Sequence, residues 1–463
     1  MMGKPVPEPP GCSVVFSIRS TVVPAVAAVA VLALLVASAS LAAPSADRLL
    51  PLGGPSAHLA TDSLTVSTIT VGKQPIGVAY DASNKEVYVA NYGSNTTSAL
   101  KTPTGTPTKI PVGHGPAAVT YDPTNKDIYV LNEISGTVSV INGSNKVIHT
   151  LTLPGPFPTY LTYDPANGNI YTLSSNASGQ ELSDLNHSTS VVKSLTLGST
   201  AESMAFDNAT NDLVVSEYAV PPAKGSLQII SPSDVATTVK LTKGMTPDFM
   251  AYDPTDKDLF VNDLGVTSKG LTKTGNVSVL SSAGKVVKTI SVAAAPIWTA
   301  YDPTDQDMYV LSLLSISNPK VNDTLTILTS SLTVAKTLTL GAFCGYAAYD
   351  PVNHDMYVPC ARSNTTFVIS SATHTIVKKL STGGTPVVAF FDPGVSDMLV
   401  AGDPVYYNAS STTHNTVYVV PSSNTGITTL TLGTGAAADG VYDPNDLGVW
   451  VSNEGSGTVS VIL

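Results

Sequence analysis

One motif, repeated with decay, limits what this chain can fold into more than any other feature. Its clearest copy is Tyr121-Asp122-Pro123-Thr124-Asn125-Lys126-Asp127-Ile128-Tyr129-Val130-Leu131-Asn132. Copies begin at Tyr80, Tyr121, Tyr163, Phe206, Tyr252, Tyr301, Tyr349, Phe391 and Tyr442, at intervals of 41 to 51 residues. Each opens on an aromatic, an Asp and usually a Pro, and closes on an alternating apolar run. In the second copy, 117–121 and 127–131 read as two strands joined by Asp122-Pro123-Thr124-Asn125. Pro pre-sets one turn dihedral, and Asp or Asn bonds its own backbone locally. Residues 136–141 and 146–153 then alternate apolar and polar as two further strands.

Four strands every 40–50 residues is the pattern of a propeller blade. A β-helix needs shorter rungs, and a sandwich needs no repeat. A lone blade cannot bury both faces, so blades must stack around an axis. The expected fold is all-β, a single β-propeller of four-stranded blades. The literal count is nine, above the usual four to eight. Either the ring is unusually large or one weak copy is not a full blade. The ninth copy stops after its third strand, 457–463, while Leu64-Thr65-Val66-Ser67-Thr68-Ile69-Thr70-Val71 resembles a fourth strand such as Leu195-Thr196-Leu197. Residues 64–71 are therefore expected to complete the last blade. Pairing there would remove two open sheet edges at once.

The start of the chain reads differently. Lys4 and Arg19 precede a run, 20–46, without charge, in which 22–36 is strongly apolar. Ser40-Leu41-Ala42 resembles a small-residue cleavage site, so a secretory signal cut near Ala42 or Ala43 is expected. An uncleaved membrane anchor is the alternative, because the run is long enough to span a bilayer. The domain reading is 1–43 leader or anchor, 44–62 linker and 63–463 propeller. Both readings of the leader place the propeller outside the cytoplasm, secreted or at the cell surface, with any membrane contact made by the N-terminal segment. Charged residues are only 12% of the chain, and the net charge is −11. No basic stripe is present for nucleic acid. Nine Asn-x-Ser/Thr sequons, at Asn95, Asn142, Asn176, Asn186, Asn208, Asn276, Asn322, Asn364 and Asn408, fall in predicted turns. They fit glycosylation of an exported protein, or chance in a chain rich in Ser, Thr and Asn.

Cys12 lies in the leader, leaving Cys344 and Cys360, both in the seventh repeat. Counting outward from the turn at Pro351–His354 sets Cys344 opposite residue 361, within one position of Cys360. A disulfide between neighbouring strands is expected, which suits an oxidising compartment. Two free buried thiols are the alternative.

Tyr88-Val89-Ala90-Asn91, Tyr129-Val130-Leu131-Asn132 and Phe260-Val261-Asn262-Asp263, with the Gly-Thr-Val-Ser-Val-Ile runs at 136–141 and 457–462, resemble the YVTN family of β-propeller repeats. The resemblance spans 64–463 and implies an exported or surface-exposed, surface-layer-like protein. Lactonases are related propellers, but no localised motif is shared with them. The pattern departs from the family in its ninth copy and in the decay of the fourth, eighth and ninth.

Loop lengths point to one face. The step from strand two to strand three runs Asn132–Gly136 in the second repeat. It grows to Glu217–Gly225, Asp263–Gly275, Ser312–Asp323 and Gly402–Asn415 in the fourth, fifth, sixth and eighth. Insertions confined to one face mark a binding surface, although neutral drift produces long loops too. These loops carry Tyr218, Lys224, Lys269, Lys273, Lys320, Tyr406 and Tyr407. On the same face, Glu202 and Asp248 precede first strands, and Glu217 and Asp263 hold the Asn132-like position. Four carboxylates on adjacent blades could hold a hard cation such as calcium, or simply decorate a solvated rim. Asp403, Asp439 and Glu454 add to that acidity.

Other motifs are weak. Asp253-x-x-Asp256-x-Asp258 and Asp302-x-x-Asp305 lie in the turn every repeat has, and turn chemistry accounts for them. The seven His are scattered. No G-x-S-x-G elbow, Walker loop or C-x-x-C motif occurs. Trp298 and Phe249 read as inter-blade core. The expected function is that of a non-catalytic exported propeller that binds surface molecules or builds a coat. The alternatives are a metal-dependent hydrolase- or lactonase-like enzyme and a glycan or small-ligand receptor.

Overall fold

The structure, a computed structural model, describes residues 64–463 apart from 102, 165–166, 177–178, 187–189, 199, 208, 219–224, 234, 242–245, 268–269, 317, 319, 403–413 and 436. The leader, the linker, Lys224, Lys269, Tyr406, Tyr407, Asn208 and Asn408 lie outside the described residues. Nine four-stranded antiparallel sheets form nine blades, so every copy of the motif is a full blade. The chain is a nine-bladed β-propeller. Blade 2 shows the plan: Pro116–Asp122 is the inner strand, Asp127–Asn132 the second, Thr137–Ile141 the third and Val147–Thr152 the outer.

The repeated motif is the hairpin between the inner and second strands. Asp122 pairs with Asp127 at its mouth, and Asp122 Oδ1 accepts the Thr124 N–H at 2.7 Å. Lys126 closes the turn with φ 66° and donates its N–H to the Asp122 carbonyl at 2.8 Å. The same side-chain-to-backbone bond recurs at Asp81, Asp253, Asp302, Asp350, Asp392 and Asp443. The conserved spacing of Asp and turn thus reflects a local hydrogen bond that replaces a water for a backbone donor.

Alternation along the strands sends apolar side chains to both faces of each blade, and the cores lie between blades. Tyr129, Leu131, Val138 and Val140 of blade 2 pack with Leu161, Ile170 and Leu185 of blade 3. Trp298 and Phe249 belong to such a core, as expected.

The ring closes as the sequence implies. Blade 9 consists of Ala437–Asp443, Gly448–Asn453, Thr458–Ile462 and, as its outer strand, Val66–Thr70. Val66 pairs with Ile462 and Thr70 with Thr458. Ile69 and Trp450 then pack against Val78, Val87 and Leu100 of blade 1. Three polar ties cross the same seam. The Val78 N–H donates to Asp439 Oδ2 at 2.8 Å, Ser452 Oγ donates to the Ile76 carbonyl at 2.8 Å, and Asn445 donates to the Tyr80 hydroxyl.

Blade 7 departs from the plan. Its inner strand is only Ala348–Asp350, and the residues before it are held by a Cys344–Cys360 disulfide. The two cysteines are direct partners across the sheet. The offset of one from simple counting is the one-residue bulge that most inner strands carry, as between Pro116 and Ala118. Elsewhere this pair of positions holds Pro and Asn, as in Pro116 and Asn132. Gly345 sits where an added Cβ would lie 1.9 Å from the Val387 carbonyl oxygen, so only glycine admits this approach to blade 8.

Two outcomes are expected. Thr70→Cys with Thr458→Cys, a pair without mutual backbone bonds, should form an intramolecular cross-link on mild oxidation. Peptide mass mapping reads it, and free thiols at both positions would contradict the closure. Replacing both Cys344 and Cys360 by Ala should cost about 2–3 kcal/mol in chemical denaturation, since a loop of that length is released in the unfolded chain.

Candidate functional site

The strand ends that bracket the long connections lie together on one face. The connections are 219–225 in blade 4, 264–273 in blade 5, 313–323 in blade 6 and 403–413 in blade 8, against 133–136 in blade 2. All join second to third strands, on the face where each blade leads into the next. On the opposite face, the turn between inner and second strands is four residues long in eight of nine blades. The turns between third and outer strands on that face run from three to seven residues, so connections of ten residues or more occur on one side alone. Blade 5's connection carries its own hairpin, Val266–Thr267 paired with Gly270–Leu271. Blade 6's connection is pinned to blade 7. Buried Asp323 accepts the Ser315 N–H at 2.8 Å, the Ser315 hydroxyl at 3.0 Å and the Cys344 N–H at 2.9 Å. Ser315 Oγ in turn accepts the Phe343 N–H at 2.9 Å. Lys273 and Lys320 are exposed on this face, and Tyr218 is half-buried at the end of its strand.

The end of the second strand has a defined physical job. Asn91 Oδ1 accepts the Gly72 N–H at 2.9 Å while its amide donates to Ser98 Oγ at 3.0 Å. Asn132 and Asn453 donate likewise to Ser139 and Ser460, each at 2.9 Å. In blade 1 the side chain pins the incoming connection to the third strand and satisfies a buried backbone donor. Glu217 and Asp263 do the same work. Glu217 accepts the Gly198 N–H at 2.7 Å, Ser226 Oγ at 2.5 Å and Gln228 Nε2 at 2.9 Å. Asp263 Oδ1 accepts the Thr246 N–H at 2.5 Å, its hydroxyl at 3.0 Å and the Gly265 N–H at 3.2 Å. Both side chains are almost fully buried. Glu217 uses both of its oxygens, and Asp263 its Oδ1, within their own blades.

Asp248 stands apart from that pair. It lies at the bulge of blade 5's inner strand, between Pro247 and Met250, and is only 4% exposed. Burial alone pushes its carboxyl up to about 7. Glu202 holds the matching bulge of blade 4, between Ala201 and Ser203, and its side chain lies outside the described set. Asp439, at the bulge of blade 9, is also pushed up to about 7, burial outweighing the bonds from the Val78 and Gly440 N–H groups.

The sequons differ in what their amides do. Asn142 and Asn322 sit in turns, Asn322 exposed and Asn142 partly so. Asn95 and Asn364 use their side-chain oxygens to accept the Gly115 and Thr385 N–H groups at 3.0 and 3.2 Å. Asn276 lies within a strand, opposite Asp263, and accepts Ser291 Oγ at 3.1 Å. Asn176 and Asn186 are strand-terminal.

On the opposite face, the structure gathers a cluster that sequence reasoning passed over. Asp305 and Asp307, from the first turn of blade 6, meet His374, from the last turn of blade 7. His374 Nε2 lies 2.9 Å from Asp305 Oδ2 and 3.4 Å from Asp307 Oδ2. Asp302-x-x-Asp305 is visible in sequence, but His374 is 69 residues away. The available signal was alignment of the repeats, which sets His374 where Asn145 and Asn424 stand.

Solved structures share the fold. An eukaryotic initiation factor matches with TM-score 0.56 at 11% identity, covering 80% of this chain and 97% of the other. The Dos1 propeller matches with TM-score 0.53 at 12% identity, covering 86% and 94%. The dihydro-heme d1 dehydrogenase NirN, in complex with DHE, matches with TM-score 0.52 at 12% identity, covering 70% and 74%. At these identities the likeness is one of fold. No protein-family model and no curated protein matches the chain.

Asp248 gives a pH prediction. Its acid has a higher affinity for the proton in the fold than in the unfolded chain, so the native state favours the neutral form. Its burial costs nothing below about pH 4, and the cost grows as pH rises toward about 7, where it levels off. A rise from the ordinary 3.8 to about 7 corresponds to ~4 kcal/mol. Asp248→Asn should therefore be more stable than wild type at pH 8, with the gain shrinking steadily toward pH 5 in urea titrations. A pH-independent difference would contradict the assignment.

Proposed function

We propose that this chain is an exported, non-catalytic propeller that binds surface molecules, or assembles into a surface coat, through its long-connection face. The observation that carries the reading is the confinement of connections of ten or eleven residues to one side, in blades 5, 6 and 8, while no turn on the other side exceeds seven residues. Drift acting on both faces alike would lengthen both. A rigid ring presenting variable loops is how scaffolds carry recognition. The pinning of blade 6's connection by Asp323 supports a pre-ordered surface, which lowers the ordering cost of binding. The apolar leader and the sequons support export.

The enzyme reading would draw on Glu202, Glu217, Asp248 and Asp263, with calcium as the cation. Glu217 and Asp263 already serve as hydrogen-bond pins within their own blades.

The test replaces 403–413 of blade 8 and 266–271 of blade 5 by short turns, keeping the pinned blade 6 connection. The circular dichroism spectrum should be unchanged. Retention of components from a cell-envelope extract, and signals on a glycan array, should fall at least tenfold against the full chain. Undiminished retention, or no retention by the full chain itself, would remove the reading.

A further inference from the structure

We propose that Asp305, Asp307 and His374 form a binding site for one divalent transition-metal ion of the zinc class, clamping blade 6 to blade 7. The argument starts from what the other seams do. Between blades 1 and 2, Tyr88 OH donates to Asn145 Oδ1 at 2.6 Å, Asn145 Nδ2 donates to Glu86 at 3.0 Å, and Asn84 Nδ2 donates to Tyr88 OH at 2.8 Å. Between blades 7 and 8, Tyr357 OH donates to Asn424 Oδ1 at 2.6 Å and Asn353 Nδ2 donates to Tyr357 OH at 2.7 Å. Both seams are closed by amides around a single carboxylate, Glu86 or Asp355, and their donors and acceptors complement one another without an ion.

At the seam between blades 6 and 7 the same three positions carry metal ligands instead. Asp305 replaces Asn84, Asp307 replaces Glu86 and His374 replaces Asn145. With Asn84's donor gone, Tyr309 OH turns to donate to Asp305 Oδ2 at 2.8 Å. Two carboxylates now face one imidazole, and among the described residues no lysine or arginine pairs with them. The deficit of positive charge is local and partly buried, with Asp307 only 5% exposed. It is the condition under which a bound cation is favoured over an ion-free lock.

The donor geometry suits the ion. One ligand atom from each of the three lies within 4.8 Å of the others. A tetrahedral zinc with bonds near 2.0–2.1 Å requires ligand atoms about 3.3 Å apart. The observed 2.9 and 3.4 Å bracket that distance. One nitrogen and two oxygens suit zinc, whereas calcium takes six to eight oxygens. An outer shell orients the ligands: Tyr309 OH and the Asp307 N–H both donate to Asp305. The Tyr309 ring meets His374 edge-on at 6.4 Å. His374 is 24% exposed, which leaves the fourth position open to water.

The site lies on the face opposite the long connections and does not depend on their role. The test is equilibrium dialysis of the full chain against zinc chloride, with metal read by elemental analysis and the melting midpoint followed in parallel. Wild type should retain one zinc per chain, with a midpoint that climbs with zinc concentration. His374→Asn copies the neighbouring seams, so it should fold with the metal-free wild-type midpoint yet retain no zinc and show no climb. Asp305→Asn should behave alike, and calcium should not substitute. Equal zinc retention by wild type and His374→Asn, or none by wild type, would overturn the proposal.

Discussion

Each blade of this protein is apolar on both faces and has no partner within itself. Everything else follows from that constraint. Tyr129 and Val140 of blade 2 are buried only because Leu161 and Ile170 of blade 3 cover them, and the same dependence passes around the ring. A chain of such wedges left open would end on two uncovered apolar faces. The pairing of Val66–Thr70 with Thr458–Ile462 therefore does more than add a strand. It places Ile69 and Trp450 against Val78 and Leu100, so the last blade meets the first. Polar ties from Asp439 and Ser452 to the first blade fix the register of that contact.

Within that frame, a small set of positions carries nearly all the polar work. The motif's first Asp caps its own turn, and the residue ending the second strand bonds the blade's own lead-in or its third strand. The second of these positions tolerates Asn, Glu, Asp and Cys because the requirement is only a short link to the third strand or to the lead-in. Asn132 bonds Ser139, Glu217 bonds Gly198 and Ser226, Asp263 bonds Thr246, and Cys360 bonds Cys344 covalently. Four chemistries meet one geometric need. Charge at this position therefore follows from a structural need that an amide meets as well.

The seams on the opposite face show the converse. There the residue type changes while the geometry stays. Asn84, Asn353 and Asp305 all reach the hydroxyl of the tyrosine four residues on. Replacing one amide by a carboxylate and another by an imidazole leaves a seam whose hydrogen bonds still form but whose charge no longer balances. Local identity, not backbone shape, separates this seam from its neighbours.

Period, strand number, closure and the cysteine pair were legible in the sequence. Each depends on short-range signals repeated often enough to average out decay: Asp-Pro turns, period-2 alternation and a leftover strand. The sequence left the blade count open; the structure decided it, since Phe206, Phe391 and Tyr442 head complete hairpins. What the sequence could not decide was which carboxylates are occupied. That Glu217 and Asp263 accept backbone N–H groups is visible only once the lead-ins fold onto them. Asp305 and His374 look like ordinary turn residues until two blades are set side by side. Hydrogen-bond partners across blades lie tens of residues apart, so no local pattern encodes them. Only the stacking of the wedges determines who meets whom.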